Sequence, residues 1–373
     1  MKGKIFSYGS VGWGTILLIV LSVFIFYSNC TKNSTRYEYR REYYLYSSNL
    51  GGTEPEQLIY VFSTRTDSLV DSISLGPYRW PEELALSPDK RTLYVRVALF
   101  DTLTHSGTRT YYEVDTRTKV IKYFGENSST IVSPDGKYLF WPYTLLELRI
   151  FNACSHQLIY AETTTFTFKP FCFDKKSTLL YGGVRGVPNE IKVFNYESKR
   201  WVRSFKIILR DGWAPRLTDA VLSPDGNTLY LLAYYDYIYF LAYDLTRDSL
   251  LVQLNINGSG QLAIKPDGSR VYITDNGGAG PCITFEPPPS GKLGVFDTET
   301  NTPLPGIDLN PLSDSMAEPP INSYYIEITP NGEKAYLSMC FDRILVIDLI
   351  RNEPLKSMII PRYRNFALVY MAL

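Results

Sequence analysis

The sequence predicts an all-β fold, a seven-bladed β-propeller of four-stranded blades, on three observations. First, seven aliphatic or aromatic runs end in Asp, Asn or Ser and enter a turn. They close at Ser63, Asp115, Asn152, Asn195, Asp244, Asp297 and Asp348, which lie 52, 37, 43, 49, 53 and 51 positions apart. A period in this range, made of strands and turns, is that of a propeller blade. Second, a Pro-Asp-Gly type of turn recurs ahead of an apolar strand. Third, 30 tyrosines and 19 phenylalanines in 373 residues suit half-buried pleated surfaces.

In chain order, the N-terminus comes first. Lys2 and Lys4 precede an almost unbroken apolar stretch from Val11 to Tyr27, followed by Asn29-Cys30. A positive start and an apolar core read as an export signal or an anchor. Residues 1–29 are therefore assigned as signal peptide or membrane anchor, and the polar segment 30–42 as a tether. Cys30 stands where a bacterial lipobox places its lipidated cysteine, although Tyr27 and Asn29 depart from the usual residues there. Lipidation at Cys30, an uncleaved anchor and ordinary secretion are three readings, and a buried helix of the folded domain is the fourth. Each of the first three puts the domain outside the cytoplasm, in the cell envelope.

The propeller is assigned to residues 43–373. Its first blade starts at its second strand (Tyr43 to Ser47), and the missing innermost strand is supplied by the chain's last segment, Asn365 to Met371. Such a closing strand removes the open edges of the ring. The turns follow one pattern. Ser87-Pro88-Asp89, Ser133-Pro134-Asp135-Gly136, Ser223-Pro224-Asp225-Gly226, Lys265-Pro266-Asp267-Gly268 and Thr329-Pro330-Asn331-Gly332 each precede an aromatic five residues after the Asp or Asn. Pro presets φ, Asp or Asn bonds back to its own backbone, and Gly takes a positive φ.

Ser-Pro-Asp-Gly before Leu-Tyr-Val, with apolar strands ending in Asp115-Thr116-Arg117-Thr118 and Asp297-Thr298-Glu299-Thr300, resembles the Tyr-Val-Thr-Asn (YVTN) β-propeller repeat. The resemblance covers about residues 43 to 373. It implies a seven-bladed propeller whose relatives include surface-layer proteins, lactonase-like enzymes and large subunits of quinone-dependent amine dehydrogenases.

Lys plus Arg and Asp plus Glu each number 38, so no net charge steers the chain to nucleic acid. Cysteines at 30, 154, 172, 282 and 340 lack the Cys-x-x-Cys spacing of zinc ribbons or c-type haem sites. No metal site and no cofactor are expected. Cys282 and Cys340, placed on one face of adjacent blades, are the candidate pair for a disulfide.

In four-stranded blades the turns between first and second, and third and fourth, strands share one face. Here that face is short and regular, and the irregular insertions fall on the other: Ser48–Gln57, Ala98–Thr110, Gly183–Glu190, Arg210–Leu217, Asp275–Lys292 and Pro305–Ser323. Binding residues concentrate on such loops. The candidates are Tyr78, Arg79, Trp80, His105, Asp211, Trp213, Arg216, Glu318, Arg362 and Arg364. Arginines converging from separate blades suit a carboxylate or phosphate. Asp236, among Tyr234, Tyr235 and Tyr237, reads as interblade packing. His105 and His156 fall on opposite faces and cannot share a metal. The leading expectation is an exported, membrane-tethered scaffold for a protein or small-molecule ligand. The alternatives are a lactonase-like hydrolase using axial acids such as Glu318 and Asp219, and a subunit of an envelope redox complex.

Overall fold

The computed structural model describes residues 43–48, 57–100, 107–126, 131–144, 146–174, 176, 178–185, 187–256, 260–275, 291–309, 323–339, 343–360 and 371–372. They form seven four-stranded antiparallel sheets, the blades of a propeller. Blade 5 shows the plan. Its strands are Arg216–Leu222, Thr228–Tyr234, Ile238–Asp244 and Ser249–Ile256, hydrogen-bonded in that order from the axis outwards.

The two recurrent turns explain why the pattern repeats. At Ser223 the backbone closes from the Gly226 amide to the Ser223 carbonyl at 2.9 Å, and the Ser223 hydroxyl accepts from the Thr228 amide at 2.9 Å. The Asp225 carboxylate accepts from the Asn227 amide at 3.1 Å. Gly136, Gly226, Gly268 and Gly332 take φ between 71° and 83° at this site, and Lys90 takes 63° in the copy without glycine. At the other turn a side-chain oxygen accepts two amides. Asp297 Oδ1, for example, holds the Glu299 and Thr300 amides at 3.1 and 2.9 Å. Four residues beyond each strand-ending residue the chain turns left-handed, at Asp67, Lys119, His156, Lys199, Asp248, Asn301 and Asn352, φ 48° to 59°. One such position per blade accounts for the count of seven.

The apolar cores lie between blades. Leu45, Tyr60 and Phe62 of blade 1 pack with Tyr336, Ile344 and Val346 of blade 7. Ile191, Val193 and Phe205 of blade 4 pack with Leu229, Leu231 and Leu241 of blade 5. Three tyrosines at corresponding strand positions add polar stitches to the following blade: Tyr46 to Thr116, Tyr230 to Thr298, and Tyr336 to Asp67 at 2.6 Å. The ring reaches the core while the phenol crosses to the next turn.

Closure comes from the C-terminal strand Met371–Ala372, which pairs Ser47 with Met371 and Tyr46 with Ala372. It is the innermost strand of blade 1, as expected. The segment Phe366 to Tyr370 lies outside the described residues. Two expected insertions are shorter than the sequence suggests. Strands run through Gly183–Glu190 as far as Arg185 and again from Val187. They also extend through Ala98–Thr110 as far as Phe100 and again from Gly107. Val184 and Val187 in the first, and Thr108 and Thr110 in the second, suit the ladder that continues there.

Candidate functional site

The innermost strands differ from the rest. Along Arg79–Leu86 and Thr167–Phe173 most residues are half-buried, whereas Thr228–Tyr234 and Ile238–Asp244 are buried almost throughout. The inner strands thus border the central channel that a propeller encloses. Several carry a bulge before the turn, between Pro81 and Glu83, Pro170 and Cys172, and Leu217 and Asp219. A bulge re-aims a side chain out of the alternation, and polar groups gather around these bulges.

They are used as tethers between neighbouring inner strands. Lys169 Nζ donates to the Thr218 carbonyl at 2.7 Å. Asp219 Oδ2 accepts from the Leu262 amide at 2.8 Å, and Gln261 Oε1 accepts from the Ile326 amide at 3.4 Å. Blades 4 to 7 are linked in sequence. Lys169 is reached by solvent yet hemmed in by protein, as a channel-lining side chain is. Burial pushes its pKa down, the Asp219 carboxylate opposes this, and Arg216 adds to it. Burial raises Asp219 to about 6 despite the Leu262 amide and Lys169. Glu327 is likewise raised by burial to about 7, with only the Lys90 charge opposing.

Of the two acids expected for a hydrolytic site, Asp219 bonds to the Leu262 amide and Glu318 lies outside the described residues. In blade 2, Glu82 and Glu83 are held by Arg96 at 3.1 and 2.8 Å, and Glu82 also by Arg109 at 2.7 Å. Among the described residues no group of three or more His, Cys, Asp or Glu is arranged to hold a metal ion. Cys172 is free and its thiol is pushed up by burial, while Cys154 is disulfide-bonded. His156 ends a regular-face turn and pairs with Glu113 at 2.7 Å.

The loop-face candidates separate into two groups. Tyr78 is exposed at φ 57°, in the two-residue crossing from blade 1 to blade 2. Arg79 is fixed in place, donating to the Leu75 carbonyl at 2.9 Å and lying 5.0 Å over the Tyr112 ring. Trp80 is half-buried beside it. The second group is more open. A turn closed by the Gly212 amide on the Leu209 carbonyl (2.8 Å), and by the Leu209 amide on the Trp213 carbonyl (2.9 Å), presents Asp211 and Trp213. Arg210 ties this turn to blade 5, its amide on Gln253 at 2.8 Å and its guanidinium on the Leu251 carbonyl at 3.0 Å. Arg216 then begins the inner strand, exposed and paired across the ladder with Tyr234.

The tyrosines around Asp236 correct the packing expectation. Tyr234, Tyr235 and Tyr237 are 51%, 38% and 60% exposed, and Trp213, 53% exposed, stacks on Tyr235 with ring centroids 5.0 Å apart. Tyr235 and Tyr237 sit in a tight hairpin between the second and third strands of blade 5, beyond the ladder's last pair, of which Tyr234 is a member (Tyr234 with Ile238). Asp236 orders that hairpin by accepting from the Tyr237 amide at 2.9 Å and the Tyr239 hydroxyl at 2.6 Å. His105, Glu318, Arg362, Arg364, Cys30, Cys282 and Cys340 lie outside the described residues.

The fold and this loop-face platform define a seven-bladed β-propeller. The chain matches no family model and no curated protein. The YVTN resemblance therefore rests on the repeat motif alone. Solved structures share the architecture. One is hydrazine synthase of Kuenenia stuttgartiensis, with 20% identity over 72% of this chain and 76% of that one, TM-score 0.53. Another is the dihydro-heme d1 dehydrogenase NirN in complex with DHE, with 15% identity over 89% of this chain and 67% of that one, TM-score 0.52. At these identities the likeness carries the fold.

Proposed function

We propose that the protein is an exported, lipid-anchored propeller that acts as a binding scaffold in the cell envelope, with the loop face of blade 5 as its binding surface. The observation that carries this reading is the exposed Trp213–Tyr235 stack with Tyr234 and Tyr237 around it. Large exposed aromatics grouped on a rigid scaffold mark interaction sites. The turn beneath Trp213 is pinned by backbone bonds and by Arg210, so little ordering is needed on binding. Asp219 serves as a tether to the next blade, and Glu82 and Glu83 are ion-paired within blade 2, which weighs against the hydrolytic alternative at these acids. The two solved neighbours bear the names of a synthase and a dehydrogenase, but their low identities give the redox-subunit alternative no residue to stand on.

Two measurements test the proposal. Metabolic labelling with a fatty acid should mark the wild type and not Cys30→Ala; an unlabelled wild type removes the lipid anchor. Capture of envelope components on immobilised protein should be lost in a Trp213→Ala/Tyr235→Ala variant that melts like the wild type. Undiminished capture by that variant removes the binding face.

A further inference from the structure

The blade 5 platform has a chemistry that selects among ligand classes. Its four rings are each about 150–250 Å² in full and roughly half exposed, so together they offer roughly 400–500 Å². A stable protein partner covers about 800 Å² on each side. The platform is smaller than that, and of the size of a few linked rings.

Its rim is polar and mixed in character. Arg216 is exposed, and its guanidinium has no hydrogen bond or ion pair among the described residues. Lys169, close enough to Arg216 for their charges to act on each other, spends one donor on the Thr218 carbonyl. Asp211 uses Oδ1 for a long 3.4 Å contact with the Trp213 amide and leaves Oδ2 open. Asp236 and Asp219 are engaged elsewhere, by Tyr239 and by the Leu262 amide. The surface therefore combines flat apolar faces with separate, uncommitted donors and an acceptor, and has no single dominant sign. A simple anion would be met by Asp211 as well as by Arg216, and a purely apolar ligand would leave both unused.

We infer that this platform is a carbohydrate subsite, in which the C–H face of a pyranose ring packs on the Trp213–Tyr235 stack. The ring hydroxyls donate to Asp211 and accept from Arg216. The inference rests on the proposed binding face and adds the ligand class. Sugar rings pair a C–H face with hydroxyls that both donate and accept, which is the combination presented here. The crossing turn and the hairpin are held by their own hydrogen bonds, so the subsite is formed before the ligand arrives.

The test uses the full chain in detergent. Tryptophan fluorescence is titrated with hexamers of glucose, N-acetylglucosamine and galacturonic acid, with benzoate as an aromatic-acid control. At least one oligosaccharide should bind and benzoate should not. Trp213→Ala and Arg216→Ala should each weaken binding by about tenfold or more, while Tyr235→Phe, which keeps the stack, should bind as the wild type does. Calorimetry repeats the Trp213→Ala measurement, since that variant also removes the reporter. No response to any oligosaccharide, or equal affinity in Trp213→Ala, overturns the inference. Should Trp213-dependent capture of an envelope protein persist without sugar binding, the ligand class is wrong and the binding face stands. Should neither be found, both fall.

Discussion

Asp219 offers the sharpest test of how the inner ring is built. Its carboxyl lies at a bulge, accepts from the Leu262 amide of the next blade and is raised by burial from 3.8 to about 6. The folded protein therefore binds this proton more tightly than the unfolded chain does. The associated stability is fully present below the unfolded pKa, near pH 4. It is lost as pH rises through 6, and is level above that. Two units at about 1.4 kcal/mol each give a loss of about 3 kcal/mol between pH 4 and 7. Glu327 has the same sign, whereas acids such as Asp225 and Asp115 are lowered by hydrogen bonds and act in the opposite direction. The difference between wild type and Asp219→Asn isolates the one group, because the amide oxygen still accepts from Leu262 without a charge. Chemical denaturation at closely spaced pH should show the Asp219→Asn variant gaining on the wild type from pH 4 to 7. The gain should stay below about 3 kcal/mol, because Lys169 loses its neighbouring carboxylate. Parallel stability curves across that window would refute the buried, titrating tether.

Three further outcomes are expected. Tyr336→Phe removes a phenol that donates to Asp67 at 2.6 Å across the closing interface, and thermal melting should register a loss of about 1.5–3 kcal/mol. Gly268→Ala forces φ 77° on an alanine and brings its Cβ to 3.0 Å from Pro224 Cδ, so it should cost about 1–2 kcal/mol by the same assay while sparing binding at blade 5. Deleting Met371–Leu373 takes the inner strand from blade 1, and size-exclusion chromatography should show aggregation; an unchanged monomer with unchanged melting would contradict closure by that strand.

The seven blades were legible in the sequence because their determinants are local. An Asp or Asn that caps its own turn, a Pro that presets φ and a Gly that accepts positive φ act within five residues. They keep their spacing whatever surrounds them. The face bearing Asp211, Trp213 and Arg216 was legible for the same reason, since strand order decides which turns share a side. What tertiary structure alone decided involves partners from separate strands or blades. Lys169 and Thr218 are 49 positions apart, and Asp219 and Leu262 are 43 apart. Whether such groups meet depends on a bulge and on the twist between blades, neither of which is marked in composition. The tyrosines around Asp236 make the same point. Aromatic content predicts burial in a half-buried sheet, but the ladder ends at Tyr234 and Ile238, and the hairpin beyond it holds Tyr235 and Tyr237 exposed. Those rings are exposed because of where the strand stops, and only the folded chain determines that.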